Sequence, residues 1–427
     1  KNRRDWEILP LFGRLSSGEQ QKVFRRGSCR RVILATNVAE TSLTLPNIRY
    51  VIDSGLARQS SCNASTGIQE LSTVFISKSA IMQRRGRLSN GVCFHLYTEE
   101  AWEKTSEFTT PEIMRSTLSG VILQMAYLKL PPLSEFPMLD KPGAGAIRAG
   151  ERMLKELGAL DKNGKITSMG IELAQIPLDP QLGRILLAGE KFNVLDEVIV
   201  CCSFLSIVDP RERPTDKQSQ ADAAHNVFKD ENSDFTTVLN LWNESEKVSG
   251  YGALRRFCKE NYLNYRRMRD WKNLVEELTF DFQHRHKKLR GKVDMEQFDR
   301  EHFHMALLAG LPRNLGHWNA EKREYEDMQG RKFQCFPSST LIKMKNKPEW
   351  ILFFHLLEIR NLYSMLNARS ISNDEGGTVI SFCFGDCFNS LCHVTSPSSL
   401  ISSCLQWSSS DPYGYERCSS SSDRVRA

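Results

Sequence analysis

The sequence predicts an α/β domain with a parallel sheet, then a mostly helical middle, then a small β-barrel, and three observations carry that prediction. Short apolar runs at Val32-Ile33-Leu34-Ala35 and Tyr50-Val51-Ile52 fit strands buried on both faces. Apolar stripes of helical period fill most of 105–290. Short alternating runs follow, such as Lys332-Phe333-Gln334-Cys335-Phe336, with Pro337 and Pro348 as breaks.

The 427 residues are enough for two to four domains at roughly 150 residues each. A composition of 40% hydrophobic and 25% charged residues is that of a soluble globular protein. No apolar run reaches the ~18 residues a membrane span requires, so no membrane association is expected. Lys1-Asn2-Arg3-Arg4-Asp5 opens no secretory leader, and a first residue other than Met suggests a start inside a longer protein. The net charge is +6, while the stretch after Ile371 carries six carboxylates against three arginines. The body before it is therefore the more basic part, which suits an anionic partner such as nucleic acid, although many soluble domains are as basic without one. Twelve cysteines, seven of them widely spaced between Cys29 and Cys335, fit reduced thiols in an intracellular protein. Cys383, Cys387 and Cys392 match no standard zinc spacing, and no metal site is expected.

In chain order, the first two apolar runs are joined by Glu40-Thr41-Ser42-Leu43, room only for a helical turn. Such a link suggests neighbouring parallel strands of an open sheet. Thr110-Pro111-Glu112 reads as a helix start, and Ile113, Leu118, Val121, Ile122, Met125 and Leu128 form its stripe. A second helix from about Ile147 to Leu157 ends at Gly158, and Asn163-Gly164 signals a hairpin turn, which together make a winged-helix layout. Leu182, Ile185 and Leu186 begin one further stripe, and Val198, Ile199, Cys202 and Leu205 another that Asp209-Pro210 ends. Arg211 to Asn232 is polar and reads as a loop, and long amphipathic patterns run from Asp234 to about Arg290. Beyond about Ile371 the chain is rich in serine and cysteine without a period, and is expected to be disordered.

Two segments carry chemistry. Ala35-Thr36-Asn37-Val38-Ala39-Glu40-Thr41-Ser42-Leu43-Thr44 lies just past a buried strand, where open α/β sheets bind ligands, and Asp53-Ser54-Gly55 ends the next strand near the same edge. Small hydroxyl and amide side chains there let a phosphodiester approach backbone N–H groups. The residues alone leave this about even with a loop that satisfies its own backbone. Gln83-Arg84-Arg85-Gly86-Arg87 places guanidinium forks beside a glycine, suited to a phosphate, although taken alone a solvated basic turn is the better explanation.

Taken together, Leu9 to Ser16 with Gln20, Ala35 to Thr44, Val51 to Gly55, Gln83 to Arg87 and Gly91 to Tyr97 resemble the second RecA-like lobe of DEAH-box RNA helicases. Glu107 to Met125, Asp234 to Trp242 and Tyr262 to Tyr265 look closest to the bacterial HrpA-like branch. The resemblance implies a RecA-like lobe at 1–104, truncated at its N-terminal side, and a winged helix at 105–178. It further implies a helical ratchet bundle at 179–300 and an incomplete OB-like barrel at 301–370, ahead of the tail at 371–427. It implies that Thr36, Asn37 and Thr41 touch RNA, that Asp53 and Gly86 face the nucleotide cleft, and that Gln83, Arg84 and Arg87 face the triphosphate of ATP with its Mg2+. It also makes Gln59 to Ile76 the β-hairpin that parts strands.

This sequence departs from the family in two ways that bear on enzymology. No Gly-x-x-x-x-Gly-Lys-Ser/Thr loop and no Asp-Glu-Ala-His occur, so the chain alone is expected to be inactive without a first RecA-like lobe. The family's Gln-Arg-x-Gly-Arg-x-Gly-Arg also stops early here, because Arg87 runs into Leu88-Ser89-Asn90-Gly91 and one finger arginine is missing. Elsewhere, Arg255-Arg256, Lys259, Tyr262, Tyr265-Arg266-Arg267, Arg269 and Trp271-Lys272 interleave charge with aromatics. Tyr262, Tyr265 and Trp271 are expected in the core, and Arg266 and Arg267 on RNA. Three readings follow: the C-terminal portion of an ATP-dependent RNA helicase, a non-catalytic RNA-binding adaptor derived from one, or a truncated gene product.

Overall fold

A computed structural model describes residues 6–359, except 14, 16, 26, 28, 42–44, 46–47, 63–68, 88–90, 215, 287–288 and 292, together with 378–380 and 383–385. The N-terminal lobe begins with β1 (Trp6–Leu11), α1 (Ser17–Phe24) and β2 (Arg30–Ala35), and β1 and β2 pair in parallel from Trp6↔Arg30 to Leu11↔Ala35. Leu9, Leu11 and Val23 bury one face of that pair. A single turn, α2 (Val38–Thr41), leads to β3 (Tyr50–Asp53) and then to the hairpin β4 (Leu56–Cys62) and β5 (Gln69–Phe75). Next come α3 (Lys78–Arg85), β6 (Val92–His95) and α4 (Glu99–Glu103). Ser77 caps α3 by accepting from the Ala80 N–H, and Thr98 caps α4 by accepting from the Ala101 N–H.

The first two apolar runs are not neighbours, contrary to the expectation from their spacing. β2 pairs with β1, and β3 pairs in parallel with β6 from Tyr50↔Val92 to Asp53↔His95. Nor are the two strands buried on both faces: no residue of β2 is buried, and in β3 only Asp53 is. The linking segment sets only a short path between the two strands, and it does not require that they hydrogen-bond.

The helical middle opens with a single 3-10 turn at Glu112–Met114, where Thr110-Pro111-Glu112 predicted a longer helix. The helix proper is α5 (Ser119–Tyr127), so the apolar stripe is real but starts later than its apparent cap. It is followed by α6 (Ala144–Glu156), the hairpin at Asn163-Gly164 and α7 (Ser168–Ala174). Gly164 takes φ +81°, the left-handed conformation its turn requires, and Leu160 bridges Ile166 across it. Asp179 caps α8 (Pro180–Lys191) with Pro180 at its first turn, and α9 (Leu195–Ser206) packs against it. The stretch predicted as a loop contains α10 (Gln218–Asn226), a short helix whose one buried residue is Ala221, which is too little apolar signal to register. α11 (Asp234–Glu246), α12 (Tyr251–Glu260), α13 (Tyr265–His286) and α14 (Arg300–Gly310) complete the bundle. Trp271 is fully buried and donates from Nε1 to the Val200 carbonyl oxygen at 3.0 Å, so it belongs to the core as expected. One continuous apolar core runs from Leu118 through α14 to Leu315.

The barrel strands are β7 (Leu315–Asn319), β8 (Glu324–Asp327), β9 (Lys332–Cys335), β10 (Trp350–Phe353), β11 (Leu356–Ile359), β12 (Thr378–Ile380) and β13 (Cys383–Gly385). They form a sheet in the order β13-β10-β7-β8-β9-β12-β11-β5-β4, in which the lobe's hairpin continues the barrel through parallel pairing of β11 with β5. Two short strands therefore come from the tail expected to be disordered, where Thr378–Ile380 pairs with β9 and β11 and Cys383–Gly385 with β10 through the backbone. The rest of that tail lies outside the described residues. Tyr325, Phe333, Leu341, Ile351, Phe353 and Leu356 fill the barrel. The barrel is tied to α11 by Asp234, which accepts from Ser339 Oγ at 2.6 Å and from the Thr340 N–H at 2.9 Å.

His304 illustrates how the bundle handles a buried polar group. Its Nδ1 donates to the Arg300 carbonyl oxygen at 2.7 Å, and Nε2 accepts from Ser233 Oγ at 3.0 Å. Burial holds its pKa down to about 3, so the folded protein keeps the ring neutral while the unfolded chain binds a proton below its ordinary 6.5. Stability should therefore fall as pH drops from 6.5 towards 3, by at most about 1.4 kcal/mol per pH unit from this residue. Thermal melts across that range should show a shallower slope for His304→Asn, and an unchanged slope would refute the assignment.

Candidate functional site

The candidate site forms at the carboxyl ends of β2 and β3. Past β2, the Thr36 N–H donates to the Leu11 carbonyl oxygen at 3.0 Å, and the carbonyls of Thr36 and Asn37 accept from Ala39 and Glu40 to start α2. The Thr36 and Asn37 side chains are exposed at this corner. Thr41 closes α2, and its side chain lies outside the described atoms.

Asp53 ends β3 and is fully buried at its carboxylate. Its Oδ1 accepts from the Gly55 N–H at 3.0 Å and from Arg84 Nη1 at 2.8 Å. Gly55 has φ +71°, and a Cβ there would lie 2.5 Å from the Phe75 ring, so no larger residue fits this turn. Arg84, from the last turn of α3, also donates from Nε to Glu40 Oε2 at 2.9 Å and from Nη1 to the Leu56 carbonyl oxygen at 3.2 Å. Arg87 donates from Nε to the Glu40 carbonyl oxygen at 2.8 Å. Gly86 caps α3, and Gln83 is exposed one turn earlier. On the far side of Asp53 the Tyr97 hydroxyl lies 2.6 Å from His95 Nδ1. Burial, followed by the Asp53 carboxylate, pushes the Tyr97 phenol up to about 12.

Of the residues singled out in the sequence, Thr36, Asn37, Asp53, Arg84, Gly86 and Arg87 thus surround one corner. Arg266 and Arg267 lie elsewhere, on α13. Arg266 is exposed, whereas Arg267 donates from Nη1 to the Asp209 carbonyl oxygen at 3.1 Å and so braces the end of α9. Glu40 was missed as a functional position. It joins the two segments by accepting from Arg84 with its carboxylate and from Arg87 with its carbonyl, and its only signal was its place one turn after Asn37.

A second feature is a cavity of about 790 Å³ where α5, α6 and α8 meet β10 and β11. Arg152, Asn314 and the ion pair of Arg313 with Glu156 line its polar side.

An α/β lobe with this corner, followed by winged-helix, ratchet and OB modules, defines the C-terminal portion of a helicase. Residues 1–90 match the helicase conserved C-terminal domain, 150–178 the winged-helix and 179–238 the ratchet-like helicase associated domains, and 303–375 the oligonucleotide/oligosaccharide-binding fold. The chain belongs to the DEAH-box helicases and corresponds to their C-terminal portion. It is 42% identical over 379 residues to the ATP-dependent RNA helicase HrpA of Escherichia coli, covering 86% of this chain and 29% of that protein. To the HrpA homolog of Haemophilus influenzae it is 40% identical over 382 residues, covering 86% of this chain and 29% of the relative. To the pre-mRNA-splicing factor ATP-dependent RNA helicase DEAH10 of Arabidopsis thaliana it is 33% identical over 383 residues, covering 84% of this chain and 52% of the relative. The chain therefore spans less than a third of the bacterial relatives and about half of the plant one.

Arg84→Ala would leave the Asp53 carboxylate buried without its cation, a loss of about 3 kcal/mol. Hydrogen exchange should quicken across β3, α2 and α3 while α8 and α9 keep their protection. Uniform protection in the variant would mean that the pair carries no structural load.

Proposed function

We propose that this chain supplies the second lobe and RNA-gripping modules of an ATP-dependent RNA helicase and completes the ATP site of a first RecA-like lobe. The observation that carries this is the single corner where Thr36 and Asn37 meet Asp53, Arg84 and Arg87. A backbone-reading loop and a nucleotide-facing arginine segment are there coupled through Glu40. Thr36, Asn37 and Thr41 contact the RNA backbone, and Arg266 adds a phosphate contact on α13. Gln83 and Arg87 approach the triphosphate, and Arg84 positions them by fixing α3 to β3. Asp53 gives Oδ1 to Arg84 and Gly55, which fixes α3, while its Oδ2 is buried without a hydrogen bond, and it faces the nucleotide cleft with Gly86.

ATP would supply the energy for strand separation, and Mg2+ would neutralise its phosphates. Among the described residues no group of three His, Cys, Asp or Glu side chains could hold that ion. No helix of the described residues is long and apolar enough to cross a membrane. The shortened arginine segment favours a second reading, an adaptor that binds RNA and has lost turnover.

Fluorescence anisotropy on a labelled single-stranded RNA tests RNA binding directly. Affinity should weaken steeply between 50 and 200 mM salt, by roughly tenfold or more if several phosphates are contacted. Asn37→Asp and Arg266→Glu should each weaken it several-fold at fixed salt, and no binding by the folded wild-type chain would sink the proposal. ATPase assays separate the two readings. The chain alone should show no turnover, and adding a first lobe should produce RNA-stimulated turnover only under the helicase reading.

A further inference from the structure

The consecutive helices α12 and α13, joined by the short link from Asn261 to Asn264, carry a face that the bundle does not use. Leu254 and Cys258 of α12 and Met268 and Trp271 of α13 are buried in the core, which turns the opposite sides of both helices outward. Between Tyr251 and Asn273 the sequence holds seven cations against two carboxylates, Glu260 and Asp270. Two of those cations are engaged, since Arg267 donates to the Asp209 carbonyl oxygen and Lys272 pairs with Glu246. The other five, Arg255, Arg256, Lys259, Arg266 and Arg269, are exposed and have no carboxylate partner among the described residues. Glu260 and Asp270 stand one turn after Arg256 and Arg266, the order in which a helical ion pair is weaker.

Two of the five are turned onto tyrosines of the opposite helix. The Arg255 guanidinium lies 5.4 Å from the centre of the Tyr265 ring, and that of Arg269 lies 5.8 Å from the centre of the Tyr251 ring. Tyr251 and Arg255 are one turn apart on α12, as Tyr265 and Arg269 are on α13. The two pairs are therefore neighbouring rungs, about 6 Å apart along helices that run in opposite directions. Lys259 continues the row on α12 by a further turn. Tyr251 is 76% exposed, so its ring has a cation over one face and solvent over the other. An exposed aromatic face amid unpaired cations is the combination that holds a single nucleic-acid strand, by stacking and by phosphate contact.

We propose that the outer face of α12 and α13 is a second binding surface for single-stranded RNA, on a different module from the corner at Thr36 and Asn37. Arg256, Lys259 and Arg266 meet phosphates. Bases stack on the open face of Tyr251 and on the guanidinium planes that the two rungs hold flat. An acidic polypeptide would match the cations and leave the open ring without a use, whereas a nucleic-acid strand engages both. Recognition is of backbone charge and base planes, so it is independent of sequence. That the strand is RNA rests on the function proposed above, while the surface itself stands on the two rungs and the unpaired cations.

The test titrates a labelled oligouridine, and a strand of the same length that lacks bases, with the full chain and three variants. All the substituted side chains are exposed, so melting temperatures should match that of the wild type. Tyr251→Ala should weaken oligouridine binding by roughly fivefold or more without changing its salt dependence, and should leave the base-free strand unaffected. Tyr251→Phe should bind as the wild type does. Arg256→Ala with Lys259→Ala should weaken both strands and lower the slope of log affinity against log salt by about 1.4, the share of two phosphates on a single strand. Wild-type affinity in Tyr251→Ala and in the double variant overturns the proposal. So does displacement of the oligouridine by polyglutamate at equal charge concentration, which would make the partner an acidic polypeptide. Asn37→Asp, run beside these variants, separates this inference from the functional reading. Loss of binding in Asn37→Asp alone sinks only the second surface, and loss in the α12 variants alone sinks only the corner.

Discussion

The lobe depends on one guanidinium. Arg84 is anchored at the end of α3 and meets carboxylates on two elements that do not otherwise pair, Glu40 of α2 and Asp53 of β3. Its side chain and that of Glu40 are each only 16% exposed, and that of Asp53 is fully buried. An unpaired charge at that depth is strongly unfavourable, so each member requires the others. Everything at the corner follows from this lock. Thr36 and Asn37 are displayed at the rim because α2 is held down, and Gly86 and Arg87 follow α3 to the same place.

The lock gives the arginine segment two different roles, a distinction that matters for reading such motifs. Three arginines in five residues suggest three phosphate contacts. The geometry assigns Arg84 inward to carboxylates, and Arg87 to the carbonyl of the same Glu40. A motif inventory weighs these side chains alike, whereas burial separates a residue that holds the site together from those that remain at its surface.

What was legible in the sequence was whatever local chemistry decides. The short turn at Glu40-Thr41 and the hairpin turn at Asn163-Gly164 each rest on a few adjacent residues, and each is found. The burial of Trp271 and the position of Asp53 were also legible, because amphipathic period and strand ends are regional signals. Pairing between distant strands was not. β2 and β3 looked like neighbours because they are close in sequence, but hydrogen bonding in a sheet is settled by all the strands that compete for each edge. The same reason hides β12 and β13, three residues each, whose pairing comes from edges supplied by β9, β10 and β11. Glu40 escaped notice because its partners lie 44 and 47 residues away.

The distribution of buried apolar surface divides the chain into unequal parts. From Leu118 to Leu315 the core is continuous and includes large side chains such as Phe235, Trp271 and Phe303. In the lobe the buried clusters hold three residues each, Leu9, Leu11 and Val23 in one and Ile76, Ala80 and Ile81 in the other. Hydrophobic stabilisation scales with the area removed from water, so the lobe has far less to set against its chain entropy than the bundle has. The Arg84 ion pairs and the continuation of the β4–β5 hairpin into the barrel sheet then carry a large share of what holds the lobe in place. An anionic ligand at the Arg87 corner would compete for the same guanidinium groups.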